Sequence, residues 1–355
     1  MSHISLEQEL CQDYLSRSEN EQPFDGWVEG RTGTSALLAA EGFEKRSLGL
    51  LEHLARTKTQ LSGLVIGRYK HAPDLNKRYR KRFETLAEVV SPGKWKVFDN
   101  LNDGQWVQAG LEWLEADDVI LDISGISNRG LFGALDAAAA SSRNVFVGYS
   151  EAKEYWPKKR DWRELEKSFS DNTILPEMVD EKPWLFSYEH RVEIIPGHEG
   201  YDAAGAGRAL IAFLPFKCAR LAAVLGEEDY REFLFIAGRP RLRKNAWRLE
   251  ALRKINSPLT RERPVMEMST FAYRSALSEL ASRMFSENSL LCKYDVHLAI
   301  MGSKLQLVAS WVLSRIIRSL TIVTSVPARY YPEAFSEGIG ASWVFRLVVP
   351  HGELV

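Results

Sequence analysis

A chain of 355 residues, 45% hydrophobic and 26% charged, has the makeup of a globular protein and the length for two domains with full cores. Its 46 Lys and Arg nearly balance its 47 Asp and Glu, which excludes a global field drawing the whole molecule to nucleic acid or an anionic membrane and leaves such binding to local clusters. Cys11, Cys218 and Cys292 are too few and too far apart for a disulfide framework or a closed zinc site, and neither the polar start, 1–20, nor any later stretch has the apolar core of a signal peptide or membrane span, so a reducing cytoplasm and no membrane are expected.

In chain order, residues 1–24 read as an N-terminal extension. Gly30-Arg-Thr-Gly33-Thr-Ser35 has the look of a phosphate loop but lacks its lysine, and reads as a loop. Leu37–Leu54 contains GFEKRSLGLLEHL, an amphipathic helix with an aromatic and an arginine near its start. Leu61–Tyr69, LSGLVIGRY, is an apolar run, hence a buried strand, followed by the basic stretch Gly67–Arg82. Ala116–Arg129, ADDVILDISGISNR, predicts a strand and a glycine turn. Gly130–Ser141 then reads as a helix, and Asn144–Pro157 as a strand running into Tyr155-Trp156-Pro157.

The same series recurs. Leu210–Leu225 contains FLPFKCARLAAVL, Tyr230–Pro240 reads YREFLFIAGRP, and Lys293–Gln306 reads KYDVHLAIMGSKLQ. Leu307–Arg318 is helical in pattern, and Leu320–Pro332 is a strand ending in Tyr330-Tyr331-Pro332. Alternating buried strands and helices imply parallel sheets covered on both faces. The expected fold is therefore α/β, two tandem Rossmann-like three-layer units related by internal duplication. Unit one spans 25–157, a linker or insertion 158–191, and unit two, with a C-terminal strand, 192–355. Val192–Ile195 reads as a strand before Gly205-Ala-Gly207-Arg-Ala-Leu210, which reads as a helix start, because Leu210 stands where a dinucleotide fingerprint needs a small residue.

In open parallel sheets, ligands bind beyond the carboxyl ends of the strands, where backbone N–H groups and helix amino ends receive anions. Both repeats place unusual residues there. Arg68 and Lys70 follow the Gly-Arg strand of unit one, and Arg239, Arg241 and Arg243 follow its counterpart in unit two. They predict a phosphate or polyanion site, with solvated loop faces as the alternative. The second candidate is the turn after the Asp122 strand, with Ser124, Gly125, Ser127 and Asn128, and its counterpart Gly302, Ser303 and Lys304. Glycine allows close backbone approach, and hydroxyls with Lys304 suit a phosphate or ribose; Ser and Asn also serve as ordinary helix caps.

Asp122 is the single catalytic candidate, an acid at a strand's carboxyl end whose counterpart in unit two is Ala299. The scattered histidines, His198 among them, form no triad or metal site, and neither a nucleophile elbow nor a zinc helix motif occurs. No cofactor and no metal are expected.

The strand followed by Gly302-Ser303-Lys304 resembles the ligand loop of CARF domains, Rossmann-like sensors of cyclic oligonucleotides in prokaryotic antiviral systems. Two such units in one chain resemble the related SAVED arrangement. The chain departs from the family in having Ser127 where unit two has Lys304, in lacking the threonine-rich loop, and in carrying no recognisable nuclease or other effector domain. The resemblance implies a sensor that binds a nucleotide or other phosphate-bearing ligand. Nucleic acid on the basic loops and a protein partner or second copy are the further expected partners. The competing expectations are a nucleotide-processing hydrolase or transferase using Asp122, and a scaffold subunit of a defence complex.

Overall fold

The computed structural model describes residues 3–29, 35–69, 73–99, 104–170, 190–201, 206–261, 263–286, 290–328 and 335–350. Among them, the chain divides into two compact units. The first holds 18–155 and 335–349, and the second holds 1–17, 156–334 and 350–355.

The opening helix α1 (His3–Arg17) belongs to the second unit, where the Arg274 guanidinium donates to the Leu15 carbonyl at 2.6 Å. The first unit then runs β1 (Gln22–Pro23), α2 (Phe24–Glu29), β2 (Ser35–Glu41), α3 (Gly49–Thr57), β3 (Gly63–Arg68), α4 (Pro73–Asn76), α5 (Arg80–Val90), β4 (Trp95–Asp99), α6 (Gln105–Trp113), β5 (Asp118–Asp122), α7 (Asn128–Ala139), β6 (Asn144–Ser150) and β7 (Glu154–Tyr155). The second unit follows with α8 (Lys159–Ser170), β8 (His190–Ile194), β9 (Gly207–Phe213), α9 (Cys218–Glu227), β10 (Tyr230–Arg239), α10 (Trp247–Thr260), β11 (Val265–Ser269), α11 (Tyr273–Met284), β12 (Tyr294–Ala299), α12 (Lys304–Ile316) and β13 (Thr321–Pro327). The chain then returns to the first unit with β14 (Ser336–Glu337) and β15 (Ser342–Arg346).

The first sheet is ordered β4-β3-β2-β5-β6-β15-β1, and the second β11-β10-β9-β12-β13-β8. From β4 to β6 and from β11 to β13 every neighbouring pair is parallel, and in each sheet the next strand, β15 or β8, is antiparallel. Numbering the parallel strands along each unit gives 3-2-1-4-5 twice, the doubly wound Rossmann order. The chain is thus α/β with two Rossmann-like units, and the strand order on which the duplication depends is the same in both.

Central strands with helices on both faces must be apolar throughout. Accordingly Val119, Ile120 and Leu121 of β5, and Val296 and Leu298 of β12 with Ile300 just beyond it, are all buried. Along β2 the side chains alternate. Leu37 and Ala39 join a core with Leu50, Leu51 and Leu54 of α3 and Phe83 and Leu86 of α5. Leu38 faces the other way, against α6, where a side chain at Gly110 would stand 2.7 Å from the Leu38 Cδ2. Burying a residue of this size contributes about 1.5–3 kcal/mol, so each face of the sheet commits its helices firmly.

Several expectations are corrected. Gly207–Phe213 is a central strand, not a helix start: its apolar residues are buried on both faces, a pattern that local periodicity does not separate from a buried helix. Leu37–Leu54 likewise contains the central strand β2 before its helix, so the Gly-Arg strands β3 and β10 are the second strands of their units. The segment 158–191 carries α8. The C-terminal strand β15 does not extend the second sheet; it pairs with β6 of the first, Val344 opposite Gly148, and so covers an edge that would otherwise expose unpaired backbone groups.

Candidate functional site

The switch point of each sheet, where the strand order reverses, lies between β2 and β5 in the first unit and between β9 and β12 in the second. Register fixes the equivalences. Ala39 pairs with Asp122, and Ala212 with Ala299. Beyond them the Ile123 N–H donates to the Gly148 carbonyl and the Ile300 N–H to the Val323 carbonyl, both at 2.9 Å. Gly125 and Gly302 therefore hold the same place. The Gly-Arg echo does not: Ala39 pairs with Ile66 and Ala212 with Phe235, so Arg68 matches Ala237, and Arg239 sits two residues further out along the longer strand β10.

In the first unit Arg68 and Arg80 are absorbed by the fold. Glu41, fully buried at the end of β2, accepts from Arg68 Nε at 2.8 Å and from Arg80 Nη2 at 2.8 Å, while Arg68 Nη2 reaches Glu84 at 2.6 Å. Arg68 lies at the rim, but its guanidinium is turned to these carboxylates; its neighbour Tyr69 is what touches the turn. The Tyr69 hydroxyl donates to the Gly125 carbonyl at 2.9 Å and accepts from the Ser127 N–H. Ser127 caps α7 by accepting from the Gly130 N–H at 3.0 Å, and Asn128 opens that helix. Lys70, the residues Gly30 to Thr34 and the Tyr330-Tyr331-Pro332 triplet lie outside the described residues.

Gly125 has to be glycine because a Cβ there would stand 2.3 Å from the Ala40 carbonyl oxygen and 3.0 Å from the Ser47 Cβ. Gly125→Ala is expected to lower the unfolding free energy by about 1–3 kcal/mol, the usual cost of forcing volume into a packed site; a urea midpoint equal to the parent's would show that the turn has room.

Asp122 lies one step from Gly125's turn and is 1% exposed. Its Oδ1 accepts from the Ser124 N–H at 2.9 Å, and its Oδ2 has no hydrogen-bond partner among the described residues. Burial pushes the carboxyl up to about 7, against the pull of the Ser124 hydrogen bonds and the Arg46 charge. Ser124 in turn accepts from the Ser150 N–H at 2.8 Å, which ties β5 to β6.

In the second unit the Gly-Ser-Lys turn is joined to the end of β10. Ser303 caps α12 with a full capping box: its hydroxyl oxygen accepts from the Gln306 N–H at 3.3 Å, and its own N–H donates to Gln306 Oε1 at 2.9 Å. The Ser303 hydroxyl donates to the Thr270 carbonyl at 2.6 Å, and the Thr270 N–H donates to the Arg239 carbonyl at 3.1 Å, so one residue bridges the Gly-Ser-Lys turn and the end of β10. Lys304, the first residue of α12, is buried, and Arg239 is half exposed near Glu267 at 3.9 Å. The Arg241 guanidinium lies over the Phe271 ring, 4.9 Å from its centre. By their caps, Ser127 corresponds to Ser303 and Asn128 to Lys304, because the first unit's turn is one residue longer; this corrects the pairing of Ser127 with Lys304.

Tyr69, Glu41, Thr270 and Gln306 belong to these rims and stand outside the predicted set; only Tyr69, beside Arg68, had a signal in its position. Tyr155 packs in its own turn, its hydroxyl accepting from the Ala152 N–H at 2.9 Å, and His198 is buried with its Nδ1 2.8 Å from the Ser314 hydroxyl. Among the described residues no group of His, Cys, Asp and Glu is arranged to hold a metal, and no helix is long and apolar enough to cross a membrane.

No family model and no curated protein matches the chain. Among solved structures, it is similar to a type III CRISPR defence DNA nuclease activated by cyclic oligoadenylate, at 11% identity and a TM-score of 0.48 over 79% of this chain; the chain spans 64% of the length of that nuclease. It is also similar to the cytoplasmic domain of a prokaryotic cation chloride cotransporter, at 8% identity and a TM-score of 0.25 over 86% of this chain and 99% of that one. A third is a putative universal stress protein from Pseudomonas aeruginosa UCBPP-PA14, at 10% identity and a TM-score of 0.23 over 82% of this chain and 92% of that one. What the chain's own strand order establishes is a tandem of two Rossmann-like units, each with a glycine turn at its switch point.

Proposed function

We propose that the chain is a nucleotide-sensing subunit of a prokaryotic antiviral defence system, binding its ligand at the carboxyl rim of the second sheet. The observation that carries this reading is the place of Gly302, Ser303 and Lys304 at the amino end of α12, joined through Thr270 to the backbone of Arg239. A helix amino end with a cation beside it is what a phosphate requires. The cyclic-oligonucleotide form of the ligand follows from the resemblance carried by Gly302-Ser303-Lys304.

Calorimetry against nucleotides and cyclic oligonucleotides tests it. Binding without turnover is expected, and Lys304→Ala should weaken it about tenfold or more, since a well-formed charge-assisted hydrogen bond contributes about 1.5–3 kcal/mol. Equal affinity in Lys304→Ala and Arg239→Ala would remove the ligand from this rim and leave the scaffold role. A second reading, nucleotide processing, is favoured by Asp122 alone, whose carboxyl titrates near the range a general acid or base uses; turnover lost in Asp122→Asn would establish it.

A further inference from the structure

The two units differ in charge where strand one of each sheet hands over to its helix. Counting without insertion from the paired Ala39 and Ala212, Phe43-Glu44 matches Phe216-Lys217, and the buried Leu48 matches the buried Leu221. From Gly148 and Val323, Ser150 likewise matches Ser325. Both serines bond the neighbouring antiparallel strand, Ser150 to the hydroxyl of Ser342 directly opposite it at 2.8 Å and Ser325 to Nδ1 of His190, two residues before its opposite residue Val192, at 2.8 Å.

In the first unit this place seats an anion that belongs to the chain. The Glu44 carboxylate accepts from Arg46 Nε and Nη2, each at 3.0 Å, and from the Ser336 hydroxyl, while Arg46 also reaches the Tyr149 hydroxyl at 3.4 Å. In the second unit a cation, Lys217, takes the position of that carboxylate. Arg220 approaches on the same side and donates to the Ser325 carbonyl at 3.3 Å. His190 feels the charges of Arg220 from α9 and of Lys217, the residue just before that helix, bonds Ser325 of β13, and has the Arg191–Glu193 ion pair on its own strand.

We propose that Lys217, Arg220 and His190 form a phosphoryl-anion subsite in the second unit, beside the position that Glu44 holds in the first. A dianionic phosphoryl group balances the two cations and accepts from several donors at once, as one carboxylate does around Arg46 in the first unit. The amino end of α9, a helix of ten residues, adds its backbone N–H groups and its dipole. Burial, with the charges of Arg220 and Lys217, already holds the His190 ring down to about 4, as a positive local potential must. That the phosphoryl group is part of a nucleotide rests on the function proposed above; the anion subsite does not.

The test follows the His190 ring by NMR through a pH titration of the full chain, with sodium sulfate as the phosphoryl probe, sodium chloride at matched ionic strength as control, and adenosine monophosphate in a second arm. Sulfate is expected to raise the His190 pKa by a unit or more, equivalent to binding about tenfold tighter to the protonated ring. Lys217→Glu, which installs the first unit's acid, should raise that pKa without any ligand and abolish the sulfate response. Should that variant not fold, Lys217→Met is expected to weaken sulfate at least about tenfold. A wild-type His190 indifferent to sulfate, or a response that persists in both variants, overturns the subsite. A sulfate response with no adenosine monophosphate response upholds the subsite and fails the nucleotide reading; nucleotide binding that leaves His190 unmoved does the reverse.

Discussion

Asp122→Asn is expected to stabilise the protein at pH 8, by up to about 4 kcal/mol, with a gain that shrinks as the pH falls and is gone below about pH 4. The size follows from the carboxyl's rise from its ordinary value of 3.8 to about 7, at about 1.36 kcal/mol per pH unit. The direction follows from proton linkage. Between the unfolded and folded pKa the native state binds the proton more tightly than the unfolded chain, so the carboxyl's contribution is fully present below about 4 and is lost as the pH rises through about 7. Above that, the native state holds a charge that burial penalises, and only Oδ1 has a backbone donor. Asparagine keeps that acceptor without the charge. Urea unfolding of both proteins across pH 4 to 8 measures it; parallel stability curves would mean that the carboxylate is accommodated and that its burial carries no cost.

Glu41→Gln is expected to destabilise the first unit by about 3 kcal/mol. Removing one member of a buried ion pair leaves the remaining charge uncompensated, at a cost of about 3–5 kcal/mol, and the lower figure applies because Arg68 and Arg80 keep side-chain exposures of 18% and 30%. Arg68 would retain Glu84 alone. Glutamine offers one acceptor oxygen in place of a carboxylate whose two oxygens each serve a guanidinium group. Thermal unfolding in low and high salt separates the outcomes: a loss that persists in high salt marks a desolvated pair, and an unchanged midpoint would return Arg68 to the role of a ligand-binding cation.

The amino-acid sequence by itself determined the fold class. Val119–Leu121 has no polar residue to expose and Val296–Ile300 only His297, which marks both as central strands, and their recurrence with Gly125 and Gly302 at the same step fixed a repeat whose two strand orders agree. The Gly302-Ser303-Lys304 turn was legible for the same reason, since a cap, a glycine and a cation in succession are local chemistry. The tertiary structure alone decided what depends on partners remote in the chain. Gly207–Phe213 became a strand because both of its faces are covered, and β15 joined the first sheet because the free edge of β6 was there to pair. Arg68 had the position of an anion ligand, yet Glu41, 27 residues earlier, comes within 2.8 Å of it once β2 and β3 pair, and a carboxylate at that distance takes the guanidinium. The matching of Glu44 with Lys217 likewise needs the strand register, because only register shows that an acid in one repeat and a base in the other occupy the same place.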